Sequence, residues 1–453
     1  MPFVPHTPAD ERLMLDTIGV DSIEALFDEI PAELKSGVLK EIPAGISEME
    51  LLRLMNERAR QDEVDLCFMG AGAYQHHIPS AVWDLVGRGE FMTAYTPYQA
   101  EASQGTLQTI YEFQTMIARL TGMEVANASV YEGGSALAEA VLMAVRANKK
   151  SKSRRVLAFG TTHPGYLSAT RNIVYNQSID IQQVPWSDET GTIDVATLEG
   201  GDYAAIVVPY PNFFGAIEDV DRVTDWAHEQ GALVIGVVNP TALALLKPPG
   251  EWGETGADIV VGEAQPLGIP VSSGGPYCGV MCCTKALVRQ MPGRIIGRTV
   301  DTEGRPGYAL TLQAREQHIR RGKATSNICT NQGLLMTAAT IYMSLMGDEG
   351  LGAVASQSHS GIVNLLQGCT GIDGVSRKFS APVFHEVVLQ LPVPAATVID
   401  RMMGDGILPG YDLGELDAAL DHCLLTNVTE TKTEADIERF VVALRAATGE
   451  ASC

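Results

Sequence analysis

Positive charge is scarce in this chain: 32 lysines and arginines stand against 55 aspartates and glutamates in 453 residues, a net charge of -23. Phosphodiesters or anionic lipid heads would be repelled at every encounter, so generic nucleic-acid or membrane-surface binding is excluded as the main task. Long apolar runs are missing too. No stretch reaches the roughly 18 apolar residues that a membrane helix needs, and Met1 to Asp16 has neither an apolar signal core nor an Arg-rich amphipathic presequence. Cysteine is present (Cys67, Cys278, Cys282, Cys283, Cys329, Cys369, Cys423 and Cys453), but without a CxxC pair or a regular framework. Three of these thiols fall in the apolar run Tyr277 to Cys283, which reads as buried strand rather than metal site. A reducing compartment follows, and a cytoplasmic protein is expected.

What is there belongs to a folded protein. Apolar residues make up 45% and charged residues 19%, and the length suits a large domain with smaller ones beside it. The charge is uneven. Residues 1–65 hold 15 acids against 6 bases, whereas residues 285–323 hold 9 bases against 3 acids. That basic segment reads either as a solvated helix face or as an anion-attracting wall on an acidic body.

Three regions are expected. Residues 1–68 read as a helical arm of short acidic helices punctuated by Pro31 and Pro43. Residues 69–330 read as an α/β domain. After the loop Gly70 to Pro79, a helix from Gly105 to Leu120 places Phe113, Met116, Ile117 and Leu120 on one face, and Gly122 stops it. The runs Arg155–Phe159, Ala204–Val208, Ala232–Val238, Asp258–Val261 and Val280–Cys283 alternate with helical patterns such as Asp219–Gln230, as in a mostly parallel sheet covered on both faces. Residues 331–453 read as a smaller α+β module. There, Val383 to Leu391 alternates like a half-buried strand, and Thr433 with Asp436 makes a capping box for a last helix with the stripe Ile437, Phe440, Val441 and Leu444.

Four groups of residues could carry chemistry. Gly133-Gly134-Ser135 opens a strong helix, where exposed N–H groups and the helix dipole suit a phosphate, although the same residues make an ordinary turn and cap. His163 follows a strand at the sheet's carboxyl edge, where it could stack on an aromatic ligand or simply bond to backbone. His76 and His77 are adjacent, so they point apart in an extended chain; with no third ligand, a metal is not expected. The polar loop Thr93 to Gly105, carrying Tyr95, Tyr98 and Gln99, could line a site or be structural.

The segments Tyr95-Thr96-Pro97-Tyr98-Gln99, Ser103-Gln104-Gly105, Glu112 to Ala118, Val125-Ala126-Asn127-Ala128-Ser129 and Gly410-Tyr411 with Leu413-Gly414 together resemble the P-protein of the glycine cleavage system, glycine decarboxylase. The likeness is nearest to the alpha, or N-terminal half, subunits of that family and runs from Pro5 to the end. It implies the fold of type I pyridoxal-phosphate enzymes. It also implies release of carbon dioxide from glycine and transfer of the aminomethyl group to the lipoyl arm of H-protein.

Such chemistry needs a lysine to anchor the cofactor and an acid against its pyridine nitrogen. By the family's pattern the lysine's position is held here by Gln265, in Gly262-Glu263-Ala264-Gln265-Pro266, and the acid's falls at or near Val237. Lys247, Lys285 and Lys323 are the nearest lysines and none is in place. Gly133, Gly134, Ser135 and His163 then resemble a relict cofactor pocket.

The resemblance implies pyridoxal phosphate held by a partner beta subunit in an α2β2 assembly, with Tyr95, Tyr98, Gln99 and His77 lining the partner's site. Arg320, Arg321, Lys323, Thr325, Ser326 and Asn327 would be a basic wall meeting the partner's phosphate or the lipoyl group. Lipoylated H-protein, the aminomethyltransferase and dihydrolipoyl dehydrogenase are the implied functional partners. Two alternatives stand beside this reading: a self-sufficient decarboxylase with a displaced lysine, and a regulatory or H-protein-binding scaffold outside the active site.

Overall fold

The computed structural model describes residues 6–35 and 41–449. It falls into two compact units, residues 1–63 and 64–453. In the first, α1 (Pro8–Ile18) and α2 (Glu48–Gln61) each open on a reciprocal capping box, Thr7 with Asp10 and Ser47 with Glu50. These boxes satisfy first-turn N–H groups that would otherwise be left unpaired. No side chain of α2 is buried, and Met49, Leu52 and Met55 are exposed along it.

The second unit is built on a seven-stranded sheet. Before it comes α3 (Gln104–Thr121), which ends at Gly122 in the left-handed conformation as expected. Its strands are β1 (Val125–Ala126), β2 (Arg155–Phe159), β3 (Asp180–Val184), β4 (Ala205–Tyr210), β5 (Leu233–Val238), β6 (Ile259–Glu263) and β7 (Gly279–Cys283), in the spatial order β1-β7-β6-β5-β4-β2-β3. Only β7 runs against its neighbours.

Period-two alternation sends the strand side chains into two separate cores. Ile206, Val208, Val234, Val260 and Cys282 join Leu107, Ile110, Phe113 and Ile117 of α3 on one face. Ala205, Val207, Ile235, Val261 and Cys283 join the helices α4 (Gly133–Ala147) and α5 (Pro164–Val174) on the other. The helix α6 (Val220–Glu229) covers the first face through Val220, Val223 and Ala227. Burial pushes the Cys282 thiol up to about 12, so it packs as an inert apolar group.

Residues 285–323 do not form the solvated helix face considered from their charge. Their centre is a hairpin, β8 (Ile295–Val300) and β9 (Pro306–Thr311), followed by short helical turns. A long helix, α7 (Gly333–Cys369), then breaks its helical dihedrals only at Gly347, where φ is 61°. Leu335 to Met343 lie in the first core and Ile362 to Cys369 in a third, so α7 ties the large sheet to a four-stranded one.

That smaller sheet comprises β10 (Ser376–Arg377), β11 (Glu386–Gln390), β12 (Tyr411–Asp412) and β13 (Cys423–Asn427). The helices α8 (Ala395–Met403) and α9 (Glu434–Thr448) cover one face, with Ile437, Phe440 and Leu444 inward. The expected half-buried alternation over 383–391 is not found. His385 to Leu389 are all buried, because Val387 and Leu389 face those helices while Val388 packs with Phe213 and Phe214 from the loop after β4. No helix among the described residues is long and apolar enough to cross a membrane.

Asn148, just past α4, holds two strand entries together. Its amide donates to the carbonyls of Ala204 and Gly231 at 2.9 Å each, and its oxygen accepts from the N–H groups of Lys150 and Ser151. Asn148→Ala leaves those buried groups unpaired and is expected to cost about 2–4 kcal/mol. A urea-unfolding midpoint indistinguishable from that of the parent chain would refute this assignment.

Candidate functional site

The chain visits β2, moves outward to β3 and then returns past β2 to β4, so the strand order reverses between β2 and β4. A crevice opens at that point, beyond the carboxyl ends of the strands, where open α/β sheets take ligands. Here it is lined by His163 and Tyr166 after β2, Asn212 and Phe213 after β4, Val237 to Asn239 from β5, Glu263 and Pro266 from β6, and Gly72 and Tyr74 from the loop before α3.

The N-terminus of α4 meets this crevice. The N–H of Gly133 donates to Glu263 Oε2 at 3.0 Å, and those of Gly134 and Ser135 donate to the carboxyl of Glu132 at 2.5 and 2.7 Å. Ser135 Oγ turns back on Glu132, accepting from its N–H and donating to its carbonyl. The second oxygen of Glu263 accepts from the N–H groups of Gln265 and Cys278 at 3.0 and 2.8 Å. Burial outweighs these donors and raises Glu263 to about 7.

His163 is spent on structure. Its Nδ1 accepts from the N–H of Gly165 at 3.0 Å, so Nε2 carries the proton and donates to the carbonyl of Ala71 at 2.9 Å. Burial lowers its pKa, which keeps the ring neutral. Tyr166 stacks on it, centroids 4.4 Å apart at 20°, and the edge of Phe213 meets it at 5.1 Å. A Cβ on Gly72, whose φ is 104°, would stand 2.4 Å from Nε2, so glycine is required there.

Gln265 makes three hydrogen bonds: Oε1 accepts from the N–H of Tyr74 at 2.8 Å, and Nε2 donates to the carbonyls of Tyr74 and Ile269 at 2.9 and 2.8 Å. The Tyr74 hydroxyl donates to Glu386 Oε2, and the Ala71 N–H donates to Glu386 Oε1, both at 2.7 Å. Tyr74 is thereby held in the crevice, and the remaining void of about 60 Å³ has room for a few waters.

These residues do not fit pyridoxal phosphate. No lysine lines the crevice among the described residues, Val237 offers no acid, the cradle's N–H groups are already bonded, and Tyr166 and Tyr74 hold the space a ring would need. Lys247 is instead ion-paired with Asp221 at 2.8 Å.

The other expected site residues gather elsewhere. Tyr98 lies 5.0 Å from His318 and under the guanidinium of Arg294 at 5.7 Å, so its loop packs on the basic segment. Gln104 clasps the Tyr308 backbone from both sides, accepting from its N–H and donating to its carbonyl. Arg320, Arg321, Lys323 and Asn327 are exposed, Thr325 and Ser326 half-buried, and Tyr95 and Gln99 exposed nearby in sequence to Tyr98.

His77 is exposed and donates only its backbone N–H to Glu430, whereas its neighbour His76 is buried and paired with Glu430 at 2.7 Å. No group of three or more His, Cys, Asp or Glu side chains that could hold a metal is assembled among the described residues. Sequence reasoning missed Glu132, Tyr166, Glu263, Arg294 and Glu386. The one available signal was a glutamate directly before Gly133-Gly134, at the position of a helix cap.

A profile of the glycine cleavage system P-protein family matches residues 1–444. A relative from Alcanivorax borkumensis, described as a probable glycine dehydrogenase (decarboxylating) subunit 1, is 61% identical over 450 residues, covering 98% of this chain and 99% of the relative. Among solved structures, a glycine decarboxylase (P-protein) of the glycine cleavage system in inhibitor-bound form aligns with TM-score 0.88 and 38% identity, over 99% of this chain and 100% of the other. A glutamate decarboxylase from Lactobacillus brevis, at TM-score 0.68 and 12% identity over 92% and 95% of the two chains, shares the fold alone.

The architecture is therefore that of type I pyridoxal-phosphate-dependent enzymes. Within that class, the chain belongs to the P-protein family of the glycine cleavage system.

Glu218, Glu263 and Glu386 are each raised by burial from 4.5 to about 7. An acid that binds its proton more tightly when folded contributes stability that is complete below about pH 4.5 and lost as the pH rises through about 7. The thermal midpoint should fall across that window, and Glu386→Gln should flatten the fall. Parallel curves for the two proteins would show that Glu386 does not titrate there.

Proposed function

We propose that this chain is the alpha subunit, subunit 1, of a glycine dehydrogenase (decarboxylating), and that it acts only with a beta subunit that carries pyridoxal phosphate. The observation that supports this is Gln265: in a chain 61% identical along its whole length to a protein so described, the anchoring position holds a buried, fully bonded amide instead of an amine.

The assembly is an α2β2 heterotetramer in the cytoplasm. It releases carbon dioxide from glycine and passes the aminomethyl group to the lipoyl arm of H-protein, from which the aminomethyltransferase and dihydrolipoyl dehydrogenase take over. The cofactor, when bound to the beta subunit, supplies the electron sink. This chain's part is to bind and orient. Tyr95, Tyr98, Gln99 and His77 line the approach to the partner's site. Arg320, Arg321 and Lys323, with Thr325, Ser326 and Asn327, present positive charge and hydroxyl or amide donors to the phosphate or lipoyl carrier.

The packing of Tyr98 against His318 and Arg294 favours this division, because it fuses the tyrosine loop and the basic segment into one surface. That surface is distinct from the filled crevice.

Co-expression tests the proposal. The purified chain alone is expected to consume no glycine, and the pair is expected to copurify and release carbon dioxide. Full turnover by the beta subunit alone would instead favour a scaffold role. In the reconstituted complex, Tyr98→Ala and Arg321→Gly are each expected to slow carbon dioxide exchange into glycine about tenfold or more, a loss of about 1.4 kcal/mol. Exchange at the parent rate in both variants would remove these residues from the site.

A further inference from the structure

We infer that this chain carries its own substitute for a bound phosphate: the carboxyl groups of Glu132 and Glu263 occupy the N-terminus of α4 and close the crevice to any phosphate-bearing ligand, pyridoxal phosphate included. The inference concerns this chain's own crevice and holds whichever substrate an assembled enzyme takes.

The first turn of a helix leaves N–H donors without partners inside the helix, and an anion placed there is stabilised by the dipole. In α4 the first three donors, Gly133, Gly134 and Ser135, all end on carboxyl oxygens of the same chain. Glu263 also collects N–H groups from the turn after β6 and from Cys278 at the entry to β7. Three segments thus converge on one carboxyl, as they would on a phosphate. Glu132 holds the two remaining donors in a reciprocal cap with Ser135.

Competition from outside is weak for two reasons. Acceptors fixed on the same polypeptide act at an effective concentration far above that of free phosphate in solution. An incoming phosphate would also have to displace two carboxyl groups that already hold five N–H donors between them.

The closure does not end at the cradle. Gln265 and Glu386 hold Tyr74 across the crevice, and Tyr166 covers the ring of His163. Restoring the lysine by Gln265→Lys removes the two hydrogen bonds that seat Tyr74, and a third to Ile269, and leaves the phosphate position filled.

The test follows the amide resonances of Gly133 and Gly134 in full-length chain labelled with 15N-glycine, which separates this site from the basic surface around Arg320. In the parent chain, inorganic phosphate and pyridoxal phosphate are expected to leave both resonances in place. In Glu132→Ala/Glu263→Ala, inorganic phosphate is expected to shift them saturably. Saturable shifts in the parent chain overturn the inference, as does a folded double variant that ignores phosphate.

Should the double variant not fold, Glu132→Ala alone exposes the Gly134 donor, and its resonance must respond to phosphate where the parent's does not. Borohydride reduction of Gln265→Lys with pyridoxal phosphate is expected to leave no pyridoxyl group at position 265 by peptide mass; a group trapped there also overturns it.

Discussion

The unpaired N–H groups at the start of α4 constrain everything around the crevice. A buried helix end without acceptors is costly, and in a cofactor-binding chain of this fold a phosphate would meet the need. Here Glu132 and Glu263 meet it. Once Glu263 is committed to Gly133, its other oxygen fixes the turn that carries Gln265 and the entry to β7. Gln265 can then hold Tyr74 only because the turn is fixed. The crevice is filled by a chain of dependencies that begins at one helix end.

The segment from Gly70 to His77 carries those dependencies from one sheet to the other. It is bonded to the large sheet through Gln265 and to the small sheet through Glu386. Its far end is bonded to the segment after β13, where Thr429 donates to the carbonyl of Gln75 at 2.6 Å and Glu430 pairs with His76. The two sheets also share α7 and the contact of Val388 with Phe213 and Phe214. Filling the crevice therefore fastens the smaller sheet to the larger one. Rigidity of this kind would serve the proposed role, in which exposed loops are presented to a partner subunit.

The strands and helices were legible because alternation and helical spacing are local properties, and each of the two cores is lined by alternate residues of the same strands. Phe113 and Ile117 announced the buried face of α3, and Thr433 with Asp436 announced α9. The polar interior was not legible. Glu263 and Gly133 are 130 residues apart, and Glu386 and Tyr74 are 312 apart. No spacing rule connects them, and a glutamate in an apolar run looks the same whether it caps a helix or faces water. The strand over 383–391 was misread for the same reason. His385 and Glu386 look like its solvent side, yet they are buried against Tyr74 and the segment after β13. Of the histidine pair, His76 is the one buried against Glu430, and His77 is exposed.

Two sets of polar residues in this chain now have different work. Those facing the crevice satisfy one another: the amide of Gln265, the hydroxyl of Tyr74, the imidazole of His163 and the cradle donors all have partners within the chain. The basic segment is partly bonded within the chain as well: Arg305 pairs with Asp301 and Glu303, and Arg320 Nε donates to the carbonyl of Ala314. Arg320, Arg321 and Lys323 are exposed, and Arg321 holds a positive φ of 54° that a non-glycine residue adopts at a cost. Tyr98 packs on His318 of the same segment, with about half of its surface exposed. Crevice and basic segment thus differ in exposure: the polar groups of the first are closed off within the chain, and the outer charges of the second face solvent. A substitution in the crevice breaks bonds that join the two sheets, whereas one at Arg321 or Lys323 removes a charge that faces solvent.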